Sequence, residues 1–379
     1  MLEKIIFKEN LDVLLDKISR EYEVYAPARA GIETVWSPVT KADDLEWNFT
    51  NTDLSPKSFF FPQTECMLEF KNVPRSADGM ILKRPELKER SKALFNIRPC
   101  DAKAFSVLDL VFEQDPQKPD VYWKDKREKT LLIGLACNHP CPACFCTSVE
   151  CGPHHTQGLD ILMQDLEDRL VLKPLTPKGE NLLSDLDEAS EQNINLAAKL
   201  EKQAEDMIQG GLGLENIQAG SILDIYEHSA WERLYESCIN CGTCTFYCPT
   251  CHCFDIQDET RGTYGRRVRN WDTCMSSLFT LHTSGHNPRG RRIDRFRQRF
   301  MHKFKYMPFK LKGALGCVGC GRCTQKCPVN IDVREVVNTI NILQEDIFTI
   351  IKTAGIRNSY KPRTLPLNMV NSYIPGTKE

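Results

Sequence analysis

Apolar residues in "NLDVLLDKISR" recur at helical spacing, which predicts a helix over residues 10–20. "FFFPQTECMLEF" (59–70) and "KALFNIR" (92–98) read as strands. "CDAKAFSVLDLVF" (100–112) reads as a helix, with Asp101 in its first turn, where the positive end of the helix favours a carboxylate. "KTLLIGLAC" (129–137) is a continuous apolar run bounded by charge, the pattern of a fully buried strand. "DILMQDLEDRLVLKPLT" (160–176) suggests a hairpin, and "DLDEASEQNINLAAKLEKQAEDMIQ" (185–209) a charged, Ala-rich helix. These patterns predict an α+β chain. An N-terminal α/β domain (1–185) leads through a helical linker (186–225) to a mainly helical domain (226–354), and an extended tail (355–379) follows.

Strand 92–98, helix 100–112 and strand 130–136 form a βαβ unit. Its strands are parallel, so their carboxyl ends share one sheet edge. Cys100 lies just past the first strand and Cys137 just past the second, with Cys144 and Cys146 on the same loop. Four thiolates at one edge suit a third [4Fe–4S] centre or a zinc ion, the alternative being unrelated buried thiols. The stretch "GLACNHPCPACFCTSVECGPHH" (134–155) also holds the spacing CxxxCxxC, which resembles radical-SAM enzymes. Too few strand–helix units follow it to build a barrel, so that reading is set aside.

Composition sharpens the picture. The chain has 379 residues, with 49 basic against 51 acidic, so its bulk charge singles out no polyanionic partner. No apolar run reaches the length of a membrane span. The start, "MLEKIIFKENLDVLLDKIS", lacks the basic-then-apolar layout of a signal peptide, so the cytoplasm is the expected compartment. Eighteen cysteines exceed ordinary use. In a reducing compartment and a chain of this size, that points to metal or redox chemistry rather than a disulfide framework.

Two strings carry the strongest signal. Cys238, Cys241, Cys244 and Cys248-Pro form C-x2-C-x2-C-x3-C-P, and Cys317, Cys320, Cys323 and Cys327-Pro repeat it. This is the spacing of bacterial two-cluster ferredoxins, in which the fourth cysteine of each run serves the other cluster. The expected ligand sets are therefore Cys238, Cys241, Cys244 and Cys327 for one [4Fe–4S] centre, and Cys317, Cys320, Cys323 and Cys248 for the second. Between the halves lies an insert, 249–316. From Arg261 to Lys312 it carries ten Arg and four Lys against Asp272 and Asp294. Compensation of cluster charge, or docking of an acidic partner, explains that excess better than nucleic-acid binding. The aromatic residues of "RRIDRFRQRFMHKFKYM" are expected in a core rather than as base-stacking platforms. Cys251, Cys253 and Cys274 remain as spare thiols, which with His252 are either a metal site or ordinary buried cysteines.

"SPKSFFFPQTE" (55–65), "RPCDAKAF" (98–105), "CFCTS" (144–148), "CPTCHCFD" (248–255), "RNWDTC" (269–274), "GHNPRGRR" (285–292), "MHKFKY" (301–306) and "GCVGCGRCTQKCP" (316–328) together resemble one family. It is the dicluster iron–sulfur proteins that include the beta component of sulfhydrogenase and the corresponding iron–sulfur component of anaerobic sulfite reductase, and the resemblance covers roughly residues 20–345. It implies an electron-transfer subunit between a flavin subunit of NAD(P)H type and a catalytic redox partner, which is a hydrogenase, a sulfite reductase or a heterodisulfide-reductase-like protein. It also favours Cys100, Cys137, Cys144 and Cys146 as the third set, with Cys141 and Cys151 additional. No residue is then needed as acid, base or nucleophile, and no GxGxxG after a strand, P-loop or nucleophile elbow is present. The alternative is a catalytic subunit whose N-terminal cluster binds substrate.

Overall fold

The computed structural model describes residues 2–72, 80–83 and 90–342, so the tail and the end of the second domain lie outside the described residues. The strands, in chain order, are β1 (Lys4–Phe7), β2 (Glu23–Ala30), β3 (Glu33–Pro38), β4 (Thr64–Asn72), β5 (Met80–Lys83), β6 (Lys92–Ile97), β7 (Thr130–Leu135), β8 (Ile161–Asp165), β9 (Arg169–Pro174), β10 (Phe254–Arg261) and β11 (Tyr264–Trp271). Seven of them form one sheet in the order β1-β9-β8-β7-β6-β2-β3.

The centre of that sheet is parallel. β6 pairs with β7 from Lys92↔Thr130 to Ile97↔Gly134, and the helix Pro99–Phe112 crosses between them, as the βαβ reading expected. All six residues of β7 are buried, which is why its sequence shows no alternation. One face packs Leu14, Leu15 and Ile18 of the helix Leu11–Ser19 against Phe95, Ile133 and Met163. The other packs Phe105, Leu108 and Phe112 against Leu94, Leu132 and Trp123. Helix Glu191–Asp206 starts later than its charge pattern suggested, capped by Ser190, whose Oγ accepts from Asn193 N. It covers Val171 with Ala197.

The stretch 59–70 is not one strand. A 3-10 turn spans Pro56–Phe59, and β4 begins only at Thr64. Phe60 and Phe61 fill the core at the corner, and Pro62 has no N–H for a ladder.

The second sheet, β10-β11-β4-β5, joins the basic insert to the N-terminal part of the chain. Arg269 of β11 faces Glu65 of β4 across the pair, and its guanidinium donates to Glu65 and Asp120. Lys126 also donates to Glu65, so this buried knot is charge-assisted throughout.

The second core belongs to the C-terminal helices. Phe296, Phe300 and Phe304 pack with Trp231, Val336 and Val337, as expected of the aromatic residues in the insert. The basic residues beside them are also buried. Arg295 donates to the carbonyls of Met275, Arg289 and Gly290, and Lys305 to those of Gln218 and Gly220. This stretch therefore spends much of its charge on internal carbonyls. Among the described residues, no helix is long and apolar enough to cross a membrane.

Candidate iron–sulfur centres

The two ferredoxin strings share one backbone path. Asn240 and Gly319 occupy the same place in each string and are both left-handed, as are Gly242 and Gly321. The short helices Thr243–Phe246 and Arg322–Gln325 follow and pack together. Cys238, Cys241, Cys244 and Cys327 line one cavity, which Cys323 also reaches, walled by Met275, Phe296 and Phe300. Cys248 lies at the other group. Burial pushes the Cys317 thiol up to about 12, with Lys303 opposing and the charges of Cys323 and Cys248 adding. Burial also raises Cys320, Arg322 opposes, and Cys248 adds. Each fourth cysteine thus lies beside thiols of the other string.

Backbone donors point at the sulfurs: Asn240 N–H to Cys238 Sγ at 3.4 Å and Ile331 N–H to Cys327 Sγ at 3.3 Å. Cations do the same. Lys303, on a π turn spanning His302–Tyr306, donates to Cys248 Sγ (3.2 Å), Thr250 Oγ1 (2.8 Å) and the Gly316 carbonyl (2.8 Å). Arg299 is 6% exposed, and its Nε has no partner among the described residues. Cys244, Cys323, Cys251 and Cys248 face it and hold it charged against the penalty of burial. Among the described residues no acid pairs with Arg299, and a buried guanidinium demands a counter-charge. Anionic thiolate-ligated cubanes supply one, so the residues present fit [4Fe–4S] groups. Among the described residues, no three His, Cys, Asp or Glu side chains converge as a single-ion site.

The N-terminal cysteines lie against this domain. Ideal Cβ atoms on Gly319 and Gly321 would come within 2.5–2.7 Å of the Phe145, Cys146 and Ala143 backbones, and Phe145 N–H donates to Gly319 O at 2.9 Å. Only glycine lets the two cysteine loops touch this closely. Cys100, Cys146 and Cys151 pack with Cys320, Val318 and Met307 in one cluster. Burial raises Cys100, with the charges of Asp101 and Cys320 adding and Cys137 also contributing. Burial lifts Cys146 to about 12, with Cys151 and Cys137 adding. Cys100, Cys137 and Cys146 of the expected third set are therefore brought together, and Cys151 joins them. Cys144 instead pairs with Cys141 as a disulfide, both sulfurs facing the Cys320 carbonyl.

Sequence reasoning missed the clamp between the halves. Arg322 sits inside the second string and donates to Asp101 (2.6 and 2.8 Å) and to Thr52, with Arg322 and Asp101 each 1% exposed. Asn51 Nδ2 donates to Cys320 O at 2.9 Å, and Lys57 Nζ to Cys251 O at 2.8 Å. No local pattern marks Asn51 or Lys57. Asp101 reads from the sequence only as a carboxylate at a helix start, and Arg322 only as part of the second cysteine string.

Beside the third group, Gln164 Nε2 donates to His154 Nδ1 at 2.9 Å, while His154 Nε2 is buried without a partner among the described residues. Burial pushes this imidazole from 6.5 down to about 4. The unfolded chain therefore binds this proton first. The stability His154 contributes is complete above about pH 6.5 and is lost as pH falls towards 4. Anoxic thermal unfolding between pH 7.5 and 5 is expected to show a shallower pH slope in His154→Gln than in the parent.

A family model for the 4Fe-4S dicluster domain matches residues 237–331. Sulfhydrogenase 2 subunit beta of Pyrococcus furiosus is 28% identical over 342 residues, covering 88% of this chain and 97% of that protein. No solved structure matches the chain significantly. Residues 237–331 thus match a 4Fe-4S dicluster domain, and the chain is similar along most of its length to a sulfhydrogenase beta subunit, which supports the resemblance to dicluster iron–sulfur electron-transfer proteins that its cysteine strings carry.

Proposed function

We propose that this chain is a cytoplasmic relay subunit, passing single electrons between a flavin subunit of NAD(P)H type and a catalytic redox subunit. The catalytic partner is of hydrogenase, sulfite reductase or heterodisulfide-reductase-like type. The observation that carries the reading is the contact of the 143–146 loop with Gly319 and Gly321, which continues the ferredoxin thiols into the N-terminal domain. Bound [4Fe–4S] groups supply one-electron chemistry. The chain's part is to hold them and set their potentials. Cys238, Cys241, Cys244 and Cys327 hold the first, and Cys317, Cys320, Cys323 and Cys248 the second. A third is held by Cys100, Cys137 and Cys146, with Cys144 as the fourth thiolate once its link to Cys141 is reduced. Arg299, Lys303 and the N–H groups of Asn240 and Ile331 favour the reduced, more negative state.

The test is iron and acid-labile sulfide per chain on anoxic, fully loaded protein. About twelve irons are expected, and Cys100→Ser should lower the count by about four. About eight irons, unchanged in that variant, would confine the relay to the ferredoxin domain.

One observation favours the catalytic alternative. A cavity of about 420 Å³ beside the third group is lined by Cys151, His154, His155, Lys173, Glu201 and Glu205. If the chain acts on substrate there, adding sulfite to the reduced chain will change its EPR spectrum, and Lys173→Ala will abolish that change. A relay's spectrum will not respond.

A further inference from the structure

The insert brings together two cysteines that the electron relay does not use. β10 pairs with β11 so that Phe254 faces Trp271, and Asp272 N–H donates to Cys253 O at 3.0 Å. Cys253 therefore stands at the mouth of the hairpin, opposite the turn 272–274. Hydrogen bonds fix that turn: Thr273 N–H donates to Asp272 Oδ1 (2.6 Å), Met275 N–H to Thr273 Oγ1 (3.1 Å), and Thr273 Oγ1 pairs with Thr245 Oγ1 (2.7 Å). That turn sets Cys274 beside Cys253, and the two side chains lie in one apolar cluster, close enough to interact. Both are free cysteines, Cys253 half-buried and Cys274 buried. They share an apolar wall with Cys238 and Cys244 of the first ferredoxin group. The third spare thiol, Cys251, is engaged by Cys248 instead.

We propose that Cys253 and Cys274 form a redox-active dithiol–disulfide couple that stores two electrons beside the first iron–sulfur group. An accessible thiol backed by a buried one is the arrangement such couples need: one sulfur exchanges with the surroundings and the other closes the bond. On reduction the S–S bond breaks as it takes up two electrons and two protons, giving two thiols. On oxidation the bond re-forms, two electrons pass one at a time to an oxidised iron–sulfur acceptor, and both protons go to solvent. Electrons arrive singly from a low-potential iron–sulfur donor, and protons come from solvent reaching Cys253. Thr245, next to Cys244 in sequence and bonded to Thr273, joins the couple to the donor loop. The couple turns a one-electron wire into a station that can supply pairs. It is independent of whether a third iron–sulfur centre exists, which the iron count reads separately.

The test uses the whole loaded chain, equilibrated anoxically in glutathione and dithiothreitol buffers of stepped potential, acid-quenched, alkylated and peptide-mapped. A Cys253–Cys274 link is expected to appear and vanish with a two-electron slope. Thiols that alkylate at every potential, or a link to any other cysteine, overturn the proposal, and this readout needs no variant. In Cys253→Ser and Cys274→Ser, iron and sulfide should match the parent, while a dithionite titration of the oxidised protein should consume two fewer electrons. A loss of about four irons in these variants would make the pair iron ligands and end the proposal.

Discussion

Cys248→Ser is expected to remove about four irons from the chain, and the centre lost is the one held by Cys317, Cys320 and Cys323. The serine stands in the first string, yet the damage falls on the second. The reason is placement. After Cys244 the chain makes one short helical turn and delivers Cys248 beside Lys303 and Thr250, whose side chains approach its sulfur at 3.2 Å. A hydrogen bond from Cys251 and the charge of Lys303 hold the Cys248 thiol well below its ordinary pKa, so it is poised to ligate as a thiolate. Cys327→Ser should do the reverse, because Cys327 lines the cavity of Cys238, Cys241 and Cys244. Iron analysis gives the count, and EPR of the reduced protein gives the identity. The signal surviving in Cys248→Ser should match that of Cys320→Ser and differ from that of Cys241→Ser. A match to Cys241→Ser would mean that each string keeps its own fourth cysteine.

Arg322→Met is expected to destabilise the chain by about 3–5 kcal/mol, because it leaves Asp101 buried with no opposing charge. Burial opposes the Arg322 charge, but Asp101 and Cys320 hold its pKa far above the usual range. Asp101→Asn should cost a similar amount. The double variant Asp101→Leu/Arg322→Met should cost clearly less than the sum, since no orphan charge remains. Denaturant unfolding of anoxic protein measures all three. The pair also touches function. Arg322 lies beside both Cys320 and Cys100, so losing its positive charge should lower the reduction potential of the second centre. If all three variants unfold at the parent midpoint, the two halves are not clamped through this pair.

The sequence carried its clearest information where chemistry dictates spacing. A cubane held by a tight loop needs cysteines three apart and residues able to adopt left-handed backbone between them, so both strings could be read directly. β6, the helix after it and β7 were equally legible, because burial on both faces of a parallel sheet leaves continuous apolar runs. Edge strands were not. β1 and β3 are short and half-exposed, and their pairing with β9 and β2 depends on residues far away in the chain. The break before β4 was hidden because Phe60 and Phe61 are as apolar in a corner as in a strand.

The basic insert shows the limit most clearly. Composition gave a cationic stretch near the cysteine strings, and of its residues Arg299 and Lys303 lie beside the thiols. Arg295 and Lys305 go to carbonyls instead, and Arg269 goes to Glu65, 204 residues away. Local sequence does not encode which acceptor a long side chain reaches. By itself, then, the sequence determined that this chain carries paired ferredoxin-type cysteine strings and a parallel βαβ core, because cysteine spacing and hydrophobic period are local properties. Only the tertiary structure decided that the insert completes a sheet with the N-terminal part, that Arg322 clamps the two halves through Asp101, and that Cys253 meets Cys274. Strand pairing, burial of charge and thiol contact depend on residues distant in the chain, and no local pattern records them.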